Sequence, residues 1–230
     1  MISIITPVLN EKENISNFFD HINRLNGDFE LILVDGGSSD GTVEEIESRK
    51  EEFHHQLTVL SSPQGRGLQM NQGAKVAKGE TLLFLHVDSE IDKDSLNVIE
   101  SRISQDGIIG GGFTHSFNDP DAFLKITSAF GNARARVTKI FFGDFGIFIK
   151  KEIFDGMEGY EEIPFLEDVE LCKKAKKYGE LDQIDSLIIT SARRYEKKGK
   201  LRLTAFFTLA VLLNVLGLRP KFLYRYIVEM

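Results

Sequence analysis

The sequence predicts an α/β fold: a single Rossmann-like domain with a central, mostly parallel mixed sheet flanked by helices. Three observations predict it. Short apolar runs alternate with helical patterns, the runs are apolar almost throughout, and carboxylate-bearing loops follow them. Strands covered on both faces read as continuous apolar runs, and strand–helix alternation winds a parallel sheet right-handedly. Ligands of such sheets sit beyond the carboxyl ends of the strands.

Residues 2–5, 29–34, 57–60 and 81–87 are the strands of the first half. Between the first two, residues 11–25 set Ile15, Phe18, Phe19, Ile22 and Leu25 on one helical stripe, with Asn10 and Glu13 spaced as a capping box. After a Ser38-Ser39-Asp40-Gly41 turn, residues 42–53 place Val43, Ile46 and Phe53 on one face. Residues 92–104 do the same with Leu96, Ile99 and Ile103. The second half is more mixed. It reads as a strand over 108–117 broken by Gly110-Gly111-Gly112, a helix over 121–140, a strand over 145–149 and a helix over 166–178. A strand over 187–190 and a very apolar helix over 201–217 follow. A soft division near residue 107 separates a nucleotide-type half, 1–107, from a half, 108–200, able to hold a second substrate; residues 201–230 are an apolar and basic helical segment.

With 42% hydrophobic and 27% charged residues, the chain is globular rather than disordered. Its net charge of −7 argues against a nucleic-acid partner, which requires a basic footprint. The balance is uneven, because residues 191–230 hold nine Lys or Arg against two Glu. Any anionic surface is met by this tail. The single cysteine, Cys172, excludes an intramolecular disulfide and fits a reducing compartment. It shares an apolar stripe with Val169 and Ala175 and reads as a buried thiol. The N-terminus lacks the basic flank and cleavage site of a signal peptide, so a cytoplasmic location is expected. His54-His55 lies in a charged stretch that reads as exposed, and His21 and His115 have no partner pattern.

Three carboxylate-bearing loops fall on one sheet edge: Thr6-Pro7-Val8-Leu9-Asn10-Glu11 after the first strand, Asp35 to Thr42 after the second, and His86-Val87-Asp88-Ser89 after the fourth. Asp40-Gly41-Thr42 reads as a turn and cap. Asp35 and Asp88 follow apolar strands directly and face the crevice. Transfer from a diphosphate-activated donor wants this arrangement, since a divalent metal held by carboxylate and imidazole groups offsets the charge of the leaving diphosphate. A dinucleotide-binding oxidoreductase would need G-x-G-x-x-G at the first turn, where this chain has Thr-Pro-Val-Leu-Asn-Glu. A sugar nucleotidyltransferase is disfavoured by the same missing glycine-rich loop.

Six motifs in order resemble the family 2 glycosyltransferases of GT-A fold, from residue 2 to about residue 200. They are Ile4 to Glu11, Leu33 to Thr42, Gly65-Arg66-Gly67 with Asn71 and Gly73, His86-Val87-Asp88, Gly143-Asp144-Phe145-Gly146, and Phe165 to Leu171; Ser191 to Tyr195 resembles a late element of a small bacterial branch. The resemblance implies that Pro7 and Glu11 line the base pocket and that Asp35 contacts uracil or ribose. Arg66 would sit beside the base and diphosphate, Asp88 would bind Mn2+ or Mg2+, and Asp144 would lie in the acceptor-side loop. Asp168 would be the general base of an inverting reaction, with Glu167 binding the acceptor or supporting it. As part of a helix start, Asp168 is expected to be held ionised by the dipole.

His86 stands where the family has the first Asp of Asp-X-Asp; imidazole binds manganese, so His86 is a second candidate ligand. The late Gln-X-X-Arg-Trp motif of processive synthases is absent, so polymer synthesis is not expected. Arg193 and Arg194 either reach the diphosphate or an anionic acceptor, or simply open a basic, solvated helix. With no Trp in the chain, Phe145, Tyr160 or Phe165 would have to stack on the sugar. The expected activity is therefore metal-dependent, inverting transfer from a nucleotide-diphosphate sugar, UDP-sugars favoured, to an acceptor hydroxyl the sequence does not identify. The alternative is a degenerate GT-A domain that binds nucleotide sugars or a membrane surface. Residues 203–218 include sixteen positions without a charge. As a helix that run is about 24 Å long, short of the ~30 Å hydrocarbon core, so it is not expected to span a bilayer. It is expected to pack on the sheet or on its twin in a homodimer, or to lie in an anionic membrane surface on the cytoplasmic side.

Overall fold

The computed structural model describes residues 1–163 and 165–215. The first half alternates strand and helix, with α3 a helix not expected from the sequence: β1 (Ile2–Val8), α1 (Lys12–Ile22), β2 (Phe29–Asp35), α2 (Thr42–Ser48), β3 (Gln56–Ser61), α3 (Arg66–Val76) and β4 (Thr81–Phe84). Then come β5 (Ser89–Ile91), α4 (Ser95–Ile103), β6 (Ile108–Phe117), α5 (Ala122–Thr138), β7 (Ile147–Lys150) and α6 (Lys151–Gly156). The described chain ends with α7 (Glu167–Ala175), β8 (Glu180–Thr190), α8 (Arg193–Lys198) and α9 (Lys200–Val215).

Among the described residues the strands form one mixed sheet in the order β3-β2-β1-β4-β7-β6-β8-β5. Strands β1 to β4 pair in parallel, β7 runs antiparallel to both β4 and β6, and β8 is parallel to β6. The two reversals cancel, so β1, β2, β4, β6 and β8 all end at one edge, where β7 begins. The period of two sends alternate side chains to two cores. Ile4, Leu31 and Leu33 join Phe18, Phe19 and Ile22 of α1 and Ile99 of α4 on one face; Ile5, Ile32 and Val34 meet Met70 and Ala74 of α3 on the other.

Several elements depart from expectation for identifiable reasons. The three glycines do not break β6; they let it lie close to its neighbours. A Cβ on Gly111 would run into the Asp182 carbonyl of β8, and one on Gly112 would sit 2.5 Å from the Phe141 ring. The strand expected over 81–87 stops at Phe84, because the chain turns: Ser89 N–H donates to His86 C=O at 3.1 Å and the chain re-enters the sheet as β5 against β8. The strand expected over 145–149 starts at Ile147, after a 3-10 turn over Gly143–Phe145. Strand β8 is eleven residues long, its polar first half hiding an alternation of buried and exposed positions. Helices α6 and α8, six residues each, are too short to leave a periodic signal.

Asn10 does not cap α1. It sits at φ 54 and its side-chain oxygen accepts the Ser39 N–H at 2.9 Å. The N–H groups of Glu11 and Lys12 go instead to Thr42 Oγ1 and Asp40 Oδ2, at 2.9 and 3.1 Å, so Asp40 is the turn-and-cap residue its motif suggests. His55 is half-buried rather than exposed, its ring stacked 4.0 Å from that of Phe29. Cys172 is buried, and burial pushes its thiol up to about 12. Helix α9 packs on α7 rather than on the sheet: Ala210, with Phe206, Phe207 and Leu213, contacts Phe165, Leu166 and Val169. No helix among the described residues is long and apolar enough to cross a membrane. The last positions of the expected helix, and of the uncharged run, lie outside the described residues.

Candidate active site

Strands β1 and β2 end side by side, Val8 opposite Asp35. Asp35 is buried, and its carboxylate accepts the Gly37 N–H at 2.9 Å and the Ser38 N–H at 3.1–3.2 Å, so the loop that follows is wound around it. Pro7 lies half-buried one residue before the end of β1. Gln69 of α3, which no motif singles out, is buried and donates to both Val8 C=O (3.0 Å) and Val34 C=O (2.8 Å). At Val8 it adds to the bond that the carbonyl already accepts from the Gly36 N–H at 2.9 Å, so the ends of β1 and β2 are tied to α3. Helix α3 sits directly on the sheet at Gly73, where a methyl would come within 2.5 Å of Ile5 Cγ2. Two residues earlier, the Asn71 side chain exchanges two 2.9 Å hydrogen bonds with the Tyr160 backbone, holding the segment before α7 against α3.

That pairing brings the start of α3 to the start of α7. Arg66 Nε lies 3.1 Å from Glu167 Oε1. Glu167 is 4% exposed and its other oxygen has no partner among the described residues. The charge of Glu167 raises the Arg66 pKa. Asp168 Oδ2 accepts the Gly143 N–H at 2.6 Å and Oδ1 the Val169 N–H at 2.7 Å. Those bonds favour the carboxylate, as the helix-start argument expects, but burial and then the neighbouring charge of Glu167 outweigh them. The Asp168 carboxyl is pushed up to about 7. His86 lies against the same loop: a methyl on Gly143 would sit 2.9 Å from His86 Cε1 and Nε2 and 3.7 Å from Asp168 Oδ2. Burial, then the charge of Arg66, lowers the His86 pKa and keeps the ring neutral.

Arg193 and Arg194 do open a basic helix, but they also close this edge. Arg193 Nη2 lies 3.4 Å from Glu11 Oε2, 182 residues away in sequence, and Glu11 accepts from the Asn14 amide as well. Arg194 is exposed and shares the fields of Arg66, Asp88 and Glu11. Asp144, 42% exposed, has one oxygen 3.8 Å from His115 Nε2 and the other without a partner among the described residues. His115 itself is buried, bonded to Ser128 and Thr190 at 2.7 Å each. Its partners come from three separate elements, which is why no local pattern shows them. Phe145, Tyr160 and Phe165 are only 2, 3 and 8% exposed and belong to the core, so none offers a free ring face to a sugar. Beside Asp88 opens a cleft of about 470 Å³, lined among others by Glu90, Asn118, Asp119, Lys125 and Ser191.

Among the described residues no three His, Cys, Asp or Glu side chains converge on a point where an ion would sit. His86 and Asp88 flank Val87 in the turn after β4, and the Asp88 charge acts on the imidazole. One carboxylate and one neutral imidazole do not make an all-protein cage. They do fit Mg2+ or Mn2+, which keeps waters and takes further ligands from phosphate oxygens.

Residues 3–156 match the family model described as Glycosyl transferase family 2, a span that stops short of Glu167 and Asp168. A PGL/p-HBAD biosynthesis glycosyltransferase of Mycobacterium bovis is 36% identical over 108 residues, 46% of this chain and 42% of that protein. The undecaprenyl-phosphate 4-deoxy-4-formamido-L-arabinose transferase of Proteus mirabilis is 25% identical across 94% of this chain and 77% of its own length. The mannosyltransferase PcManGT from Pyrobaculum calidifontis, solved with GDP-Man and Mn2+, has a TM-score of 0.69 at 19% identity, covering 82% of this chain and 56% of that one. This likeness shows the fold, that of the GT-A transferases. The chain spans less than half the length of the Mycobacterium relative.

Proposed function

We propose a function from one premise: the chain belongs to glycosyl transferase family 2. The reaction is inverting transfer of a sugar from a nucleotide-diphosphate sugar, UDP-sugars favoured by the motif resemblance, to an acceptor hydroxyl. The observation that carries this reading is the meeting of Arg66, Glu167, Asp168 and His86 at the carboxyl edge of the sheet, with Arg194 and Asp88 beside them.

In this reading residues 1–107 form the nucleotide-binding half, with Pro7, Glu11 and Asp35 at the base and ribose. Residues 108–200 form the acceptor half, with Asp144 beside the acceptor. Arg66, Arg193 and Arg194 face the diphosphate and offset the charge that grows on it as it leaves. Mn2+ or Mg2+, held by Asp88 and His86, supplies further positive charge there when bound. Asp168 takes the proton of the acceptor hydroxyl while that oxygen attacks the anomeric carbon. The bond to the diphosphate breaks on the opposite face, so the centre inverts. A base titrating at about 7 is matched to a neutral medium. Glu167, held by Arg66, keeps the Asp168 pKa high, and the Gly143 N–H fixes the carboxylate in place. The protein works in the cytoplasm, at the inner face of the membrane; a free, buried Cys172 and the basic tail support that location.

A thermal-shift panel of UDP- and GDP-sugars, each with Mn2+ and with chelator, tests the reading. A UDP-sugar should raise the melting temperature in Mn2+ and do so far less without it, since a ligand of the native state stabilises by mass action. No response to any nucleotide sugar in Mn2+ refutes the donor class. Binding without turnover on any acceptor leaves a nucleotide-sugar binding module.

A further inference from the structure

Helices α5 and α9 are in contact. Lys200 at the start of α9 is 2.9 Å from Asp121, the N-cap of α5. Just past the other end of α5, Ile140 and Phe142 pack on the buried cluster of Phe165, Leu166, Val169 and Ala210, the last from α9. Between them the two helices expose Ile126 (58%), Phe130 (73%) and Val137 (83%) from α5, and Leu201 (75%) and Leu209 (46%) from α9. These are five of the nine exposed large hydrophobics among the described residues, and the other four are scattered on separate parts of the surface. Scattered apolar residues are ordinary, whereas a contiguous set marks a contact surface.

On α5 the spacing of four and then seven residues puts Ile126, Phe130 and Val137 on one stripe, with exposed Ala133 between them. The fold does not need that stripe, because Leu124, Ser128 and Ala135 bury the opposite face. Charge distinguishes what covers it. Residues 122–139 and 193–215 hold ten Lys or Arg and one Glu. Arg193 and Arg194 belong to the candidate site, Lys139 and Lys200 pair with Asp182 and Asp121, and Arg134 donates to Ile140 C=O, which leaves Lys125, Arg136 and Lys197 among the exposed cations of this face. Exposed Lys125 and Arg136 flank the stripe, and exposed Lys197 lies just ahead of α9.

We propose that the α5–α9 face is a docking surface for an anionic lipid bilayer, with Ile126, Phe130 and Val137 seated at the headgroup–acyl boundary and the basic residues on the headgroups. A second copy docking by two-fold symmetry would bring this positive surface against itself; a negatively charged bilayer complements it. The helices lie on the membrane rather than through it, in keeping with their length. Pro120 and Lys125, at the start of α5, also line the cleft beside Asp88, so docking sets the mouth of that cleft near the lipid surface. The docking surface stands whether or not the chain transfers sugar.

Co-sedimentation of the full chain with vesicles of phosphatidylcholine alone, or mixed with phosphatidylglycerol, tests the proposal. Binding should require phosphatidylglycerol and fall away at high salt. Phe130→Asp with Val137→Asp should lower partitioning at least about tenfold while leaving the unfolding transition in place, because both side chains are largely exposed. Three results overturn the proposal: protein left in the supernatant with both vesicles, equal binding by the parent and the double variant, or a solution dimer that the double variant dissolves. The last would make the face an interface between copies. The nucleotide-sugar panel, run without lipid, is independent of all three.

Discussion

Replacing Asp168 by Asn tests the central electrostatic claim without any substrate. Asp168 titrates at about 7 in the folded chain against an ordinary 3.8, because burial and the charge of Glu167 outweigh two backbone hydrogen bonds. A carboxyl with a raised folded pKa binds more protons in the native than in the unfolded state between those two values. Stability is therefore lost as pH rises from about 4 to about 7, and the loss is complete above that. At about 1.4 kcal/mol per pH unit the ceiling is about 4 kcal/mol. Asn carries no titratable proton, so Asp168→Asn should gain on its parent by up to that amount at pH 8 and by nothing at pH 4. Urea unfolding of both proteins at one-unit steps between pH 4 and 8 reads the difference, in which all other titrations cancel. Glu167→Gln should move the midpoint of the difference downward, because it removes the neighbouring charge. A pH-independent gap between parent and Asp168→Asn would refute the reasoning. With a competent acceptor, the same variant should lose roughly a hundredfold in turnover while donor binding persists.

Three further outcomes follow from the same geometry. Arg66→Ala strands the buried Glu167 carboxylate and should cost about 2 kcal/mol in urea unfolding, discounted because Arg66 is about one-third exposed; adding Glu167→Gln should recover a large part of it, and a simple sum of the two single losses would deny the pair. Gly73→Ala drives a methyl to 2.5 Å from Ile5 Cγ2 and should destabilise by about 1–3 kcal/mol, visible as a lower melting temperature; an unchanged one would mean that α3 is not seated on the sheet there. Asp88→Ala should weaken Mn2+-dependent binding of a nucleoside diphosphate at least about tenfold by calorimetry, whereas equal affinities for the two proteins would remove Asp88 from metal binding.

The alternation of β1 to β4 with α1 and α2 was legible because each strand is an apolar run and each of those helices has a local apolar stripe; α3 was not, because Arg66–Val76 was marked only by the motif residues Arg66, Gly67, Asn71 and Gly73. The 108–117 strand, the Asp40 turn and the burial of Cys172 were legible for the same reason: their signals lie within a few residues of one another along the chain. Asp35 and Asp88 were singled out by their place directly after apolar strands, and the other candidate site residues came from motif resemblance, which names side chains without saying what they touch. Tertiary structure alone decided that Glu11 meets Arg193, that Arg66 meets Glu167, that Asn71 holds Tyr160, and that Gln69 closes the ends of β1 and β2. It likewise set the pKa of Asp168 against its helix-start prior and buried the three aromatic candidates. Periodicity and turn chemistry are properties of neighbours in sequence, and so the sequence by itself determines them. Burial, field and hydrogen-bond partners belong to neighbours in space, which a chain acquires only when segments as far apart as Glu11 and Arg193 are folded against each other.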